Sequence, residues 1–164
     1  MRVEPKRNPW KGLLAGGLGG FVGCFAMSQF HSVLQPADRS SQQSQEDSTV
    51  RAASAIWQGI FHHDLTTEQK KIAAPAVHYA FGTTMAAIYG TLVESAPKLT
   101  VGWGIPFGAA LWLAAHVITV PALGLSESVT ESALGPEAVE FGAHLVYGTA
   151  AEQLRRFIRT CLLS

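Results

Sequence analysis

At 164 residues the chain has the length of one soluble domain, yet only 15% of its residues are charged and 48% are hydrophobic, against roughly 25% charged in ordinary globular domains. The formal net charge is zero, so the charge balance gives no reason to expect nucleic acid as a partner. Charge is missing altogether from residues 12–37, 72–93 and 99–126, runs of 26, 22 and 28 residues, where a bilayer-spanning helix needs about 20 and a soluble helix would carry charge on its outer face.

The first eleven residues hold Arg2, Lys6, Arg7 and Lys11 and read as a basic cytoplasmic amino terminus. A span at 12–34 follows. A secretory signal has an apolar stretch of only about 7–15 residues, so a retained anchor is the expectation. Gly12, Gly16 and Gly20 fall four apart and form one smooth stripe, with Gly19 and Gly23 beside it. Small residues let helix backbones approach closely, which is a main source of packing energy in lipid. A phosphate-binding glycine loop would need a Lys-Ser/Thr ending and a preceding strand, and neither is present.

Residues 35–71 form a loop on the outer side. Its middle, DRSSQQSQEDST, has almost no apolar residue and cannot bury enough to order itself. From 50 to 63, Val50, Ala53, Trp57, Ile60 and Phe61 share one helical face. That stretch reads either as an interfacial amphipathic helix with Trp57 at headgroup level or as a helix on the mouth of the bundle. Thr66 and Gln69 make a capping box that opens the second span, 72–94. Pro75 falls in its first apolar turns, where it kinks the helix or lies close to its start. Gly82, Ala86 and Gly90 repeat the small-residue stripe. Pro97-Lys98 forces a turn into a third span, 101–123, with Gly104 and Gly108 four apart and Pro121 near its end. A fourth span, 138–158, contains Glu140 and Glu152 and is marked less clearly by hydropathy; a re-entrant or surface helix is its rival.

The fold class is therefore an all-α membrane protein of four transmembrane helices, with the interfacial helix as an addition in the first loop. Eight lysines and arginines fall on the side of the amino terminus and four on the other, which places both termini inside. Cys24 and Cys161 have no CxxC spacing and suggest neither a zinc site nor a disulfide. No metal or cofactor is expected. The expected partners are the lipid bilayer and either further copies or subunits of a membrane complex.

Each span holds one histidine: His31, His78, His116 and His144. Counted from the outer ends at 1.5 Å per residue, His78, His116 and His144 fall roughly 9–10 Å deep and His31 nearer 5 Å. Glu140 is one turn from His144 on the same face, where it can orient or charge the imidazole. Ionisable residues inside a membrane are expensive and mark a functional site by default. Three readings remain open for these side chains. They serve as interhelical hydrogen-bond glue, as a protonatable cluster that relays protons, senses pH or lines a solute path, or as ligands of a haem or metal. His62-His63 beside Asp64 reads as a solvated pair. Glu94 near Lys98, and Glu152 with Arg155 and Arg156 at i+3 and i+4, read as interfacial anchors. No GxSxG, HxE or HExxH string supports catalysis, and a non-enzymatic protein is expected.

The stretch from Val77 to Arg159 resembles the YagU-like family of bacterial inner-membrane proteins. The resemblance lies in His78 opening a span that ends in Tyr89 and Val93-Glu94, then Pro97-Lys98, a glycine-rich span with His116, Pro121 and Gly124-Leu125. Glu140-Phe141-Gly142, His144-Leu145-Val146, Glu152 and Arg155-Arg156 complete it. It implies a multi-pass inner-membrane location and a contribution to acid tolerance, and it implies no cofactor.

Overall fold

The computed structural model describes residues 7–34, 66–115 and 134–162, together with positions 54, 57–59 and 62. All regular structure among them is helical. The four main helices are α1 (Pro9–Leu34), α2 (Thr67–Ser95), α3 (Ile105–Trp112) and α4 (Leu134–Phe157). A 3₁₀ turn, Pro97–Thr100, follows α2, and a π-turn, Ile158–Leu162, extends α4. By length and composition one described helix, α1, is long and apolar enough to cross a membrane. The helix through Ile105–Ala115 is apolar but shorter.

The local chemistry explains the helix ends. Thr66 caps α2 with both bonds of the capping box: its hydroxyl accepts from the Gln69 amide at 3.3 Å, and its own amide donates to Gln69 Oε1 at 2.9 Å. That cap starts the helix within the polar turn ahead of the uncharged run, so Pro75 lies well inside a continuous helix. Between α2 and α3 the backbone is left-handed three times running, at Gly102, Trp103 and Gly104 (φ 80°, 61° and 92°). Gly104 is the N-cap of α3. Its expected place inside a third span is corrected accordingly: a left-handed residue ends a helix rather than continuing one. Residues 116–123 of that span, with His116 and Pro121, lie outside the described residues, as do most of the 35–65 loop and the 124–133 loop. Of the amphipathic 50–63 stretch, Ser54 and Trp57–Gly59 are described as helical and His62 as a bend.

Glycine sets how the helices meet. A methyl group at Gly12 would collide with the Gly90 carbonyl oxygen, and one at Gly16 with the Ala86 carbonyl oxygen. Gly20 and Gly82 lie further along the same seam, Gly82 against Cys24. The order of these contacts makes α1 and α2 antiparallel. A second seam, on an adjoining face of α1, meets α4: Gly19 faces the Ala151 carbonyl and Gly23 faces Tyr147. The third seam joins α3 to α4, with Gly104 and Gly108 against the backbone at Gly148 and His144. These pairs are antiparallel as well. The start of α1, the end of α2, the start of α3 and the end of α4 therefore share one end of the bundle. We call it the arginine end and the opposite one the histidine end.

Cys24, Met27, Ala86, Leu111, Ala143, Tyr147 and Ala151 form the core, with Phe30, Tyr79, Met85 and Phe107 packed against it. Tyr147 crosses this core and donates its hydroxyl to the Gly82 carbonyl at 2.6 Å. Tyr89 stacks on Phe107, with ring centroids 4.2 Å apart. The outside is the more apolar surface: Leu14, Leu18, Phe21, Phe25, Phe81, Ile88, Leu92 and Leu113 are all exposed.

Candidate functional site

Seven polar or charged residues are buried among these helices: His31, Glu94, Glu140, His144, Glu152, Arg155 and Arg159. They separate into two groups by position. His31, Glu140 and His144 lie toward the histidine end, and the two remaining carboxylates and both arginines gather at the arginine end.

At the histidine end the contacts follow from the α1–α4 register. His31 lies two turns beyond Gly23, and Glu140 lies two turns back from Tyr147, so the two meet. His31 Nε2 is 3.0 Å from Glu140 Oε1. That distance suits an ion pair, but the alignment is not that of a hydrogen bond, and both Glu140 oxygens and His31 Nε2 remain without a hydrogen-bond partner. Glu140 is only 5% exposed. Its carboxylate is turned to His31 and not to His144, as the helical spacing had suggested. His144 Nδ1 instead bonds the Glu140 backbone carbonyl at 2.9 Å. An i−4 carbonyl lies directly beneath an inward-pointing imidazole, which frees the carboxylate to reach across to α1. His78, on α2, is partly buried and within coulombic reach of both His31 and Glu140. Its backbone carbonyl accepts a long contact from Cys24 Sγ at 3.9 Å. His31, His78, Glu140 and His144 thus occupy the same half of the bundle. His116 lies outside the described residues. His62 is exposed.

At the arginine end both carboxylates among the described residues are saturated. Glu94 accepts from Arg159 through both oxygens, Nε to Oε1 at 2.6 Å and the terminal nitrogen to Oε2 at 2.9 Å. The Asn8 amide adds a third bond to Oε2 at 2.9 Å. Glu152, fully buried, accepts from Arg155 through both oxygens at 2.6 and 3.0 Å and from Arg156 Nε at 2.5 Å. Arg156 also donates to the Thr100 carbonyl at 2.6 Å, and its guanidinium lies 5.4 Å from the Trp103 ring centre. Arg156 therefore braces the left-handed turn ahead of α3. The expected neighbours of Glu152 were right in spacing, but the group is interior and not an interfacial anchor. Glu94 pairs with Arg159, not with Lys98, which is exposed.

Sequence reasoning missed Arg159 and Tyr147. Both act across 65 residues, so no local spacing reveals them. The glycine seams were the available signal, because they fix the register that brings these partners level.

Chemically, the histidine end places carboxylate oxygens without an aligned donor beside imidazoles. Among the described residues no group of three or more His, Cys, Asp or Glu side chains is arranged to hold a metal ion. A family model, described as a protein of unknown function (DUF1440), matches residues 58–153. No curated protein and no solved structure matches the chain. The matched stretch contains His78, Glu140 and His144, while His31 comes from the helix ahead of it.

Proposed function

The chain belongs to the DUF1440 family, and we propose that it is a bacterial inner-membrane protein of four spans, both termini inside, whose outer-half His/Glu cluster takes up and releases protons. In this reading it is not an enzyme. Its response to external acidity contributes to acid tolerance or to passage of protons or a small solute, in keeping with the resemblance to the YagU-like proteins.

The observation that carries this reading is the buried Glu140–His31 contact at 3.0 Å, with both carboxylate oxygens lacking a hydrogen-bond donor. An ionised carboxylate held that way away from water is costly, and the least expensive remedy is to share or bind a proton. Support for the membrane setting comes from the distribution of side chains. Glycine, histidine, glutamate and arginine are inside, while leucine and phenylalanine are outside, the reverse of a soluble bundle. Polar side chains on the outer faces bond their own helix: Thr84 Oγ1 to the Ala80 carbonyl at 2.7 Å and Thr91 Oγ1 to the Ala87 carbonyl at 2.9 Å. In lipid a hydroxyl has no water to bond, so this is the arrangement expected there.

Proton flux into liposomes and survival of cells in acid test the reading. The His31→Gln and Glu140→Gln proteins, and the triple replacement of His78, His116 and His144 by Gln, should each lose most of the response. Wild-type flux and survival in all three would overturn it.

A second reading has one observation in its favour. An apolar groove of about 640 Å³ runs along the outer side of the α1–α2 seam, lined by Leu13, Leu14, Leu18, Ala87, Ile88 and Leu92. It suits a structural subunit that packs against another helix. Native purification should then return a stable complex rather than a monomer.

A further inference from the structure

His31, Glu140, His144 and His78 account for only part of the histidine end. Among the described residues, buried side-chain polar atoms without a hydrogen-bond partner concentrate there: His31 Nε2, both oxygens of Glu140, and Glu137 Oε2. Glu137 lies one helical turn before Glu140 on α4, the spacing at which side chains are neighbours, and the charge of Glu140 acts on it. Its side chain is half-buried where that of Glu140 is almost wholly enclosed. The two carboxyls thus form a series from the boundary of the bundle to its interior.

Among the described residues, the groups facing this pair leave acceptors in excess. From α1 comes His31, 3.0 Å from Glu140. From α2 comes His78, within coulombic reach of Glu140. On α4 itself are Glu140 and His144, and residues 105–115 contribute no titratable side chain. One imidazole at contact distance cannot neutralise both carboxylates. We propose that Glu137 is the second proton-holding carboxyl of this site, standing between the boundary of the bundle and the Glu140–His31 pair, so that protons reach Glu140 by way of it. This rests on the proton reading given above. Burial, and then repulsion from Glu140, raises the Glu137 carboxyl above the usual range.

The competing role is purely structural. Glu137 is in the first turn of α4, where the helix dipole stabilises an ionised carboxylate and would keep it deprotonated. Infrared titration of the carboxylic-acid band, on the full-length protein in lipid vesicles, separates the two. The wild type should show two buried carboxyls titrating, one lost in Glu140→Gln and the other in Glu137→Gln. Glu140→Gln also removes the charge that acts on Glu137, so the midpoint of the remaining Glu137 band should fall. Glu137→Asp keeps a carboxyl and should restore the second band, which controls for misfolding. If Glu137→Gln leaves the wild-type spectrum intact while Glu140→Gln removes a band, the Glu137 assignment falls and the proton reading stands. If neither replacement changes the spectrum, both fall.

Discussion

Carboxylates are buried at both ends of this bundle, and the two ends treat them in opposite ways. At the arginine end Glu94 and Glu152 accept six hydrogen bonds between them from Arg159, Asn8, Arg155 and Arg156. At the histidine end Glu140 has His31 at 3.0 Å and no aligned donor. Burial costs are similar, so the difference is in what is returned. Saturated charges hold helices in register, because losing one partner strands the other. An unsaturated carboxylate contributes little to stability and keeps its capacity to change protonation state. The first end fastens the bundle, and the second is where the proposed response would take place.

Breaking the fastened end should have the largest effect. Arg159→Ala strands Glu94 in the interior and should cost about 3–5 kcal/mol, measured as loss of stability on unfolding in detergent. Combining it with Glu94→Leu removes the stranded charge and should recover most of that loss. A double variant no better than the single one would mean that the pair acts by packing and not by charge.

The glycine seam comes next. Gly16→Ala places a methyl group against the Ala86 carbonyl and should cost about 1–3 kcal/mol, the usual range for overpacking, in the same assay. Tyr147→Phe removes one hydroxyl bond to Gly82; bonds of this kind inside membrane proteins average about 0.6 kcal/mol, so a small loss is expected.

The smallest effect on stability sharpens the comparison most. Glu140→Gln removes a carboxylate that has no aligned donor, so stability should be unchanged or slightly higher, while the proton response is lost. A loss of several kcal/mol there would make the two ends alike and undo the contrast.

Much of the scaffold could be read from the sequence. Exclusion of charge marked α1 and α2, and the Thr66–Gln69 pair marked where α2 begins. Spacing by four marked the glycines that lie at the three seams. The sites were harder to read because their contacts run between helices. Glu140 and His144 are four apart and invite a local pairing, but the backbone carbonyl of Glu140 takes the imidazole and the carboxylate crosses to His31. Glu152 could be matched with Arg155 and Arg156 by spacing, though spacing does not tell an interior group from a surface one. Glu94 and Arg159, 65 residues apart, become partners only once the packing register is known. Trp103, with φ of 61°, gave no warning, since a bulky left-handed residue is rare and is held here by Arg156.

The arrangement of the three seams also sets an order of assembly. During synthesis α1 and α2 can close their glycine seam as soon as α2 has emerged, with no help from the rest of the chain. His31, Gly19 and Gly23 must then wait for α4, the last helix made, before they meet their partners. Glu94 waits longer still, since Arg159 lies beyond the end of α4 and in the π-turn. The nascent protein therefore passes through a stage in which a helical hairpin carries an unmatched glutamate at one end and an unmatched histidine at the other. Arrival of α4 completes the histidine end first and Arg159 completes the other, so a chain cut short before Arg159 would leave Glu94 unmatched and exposed to the cell's quality control.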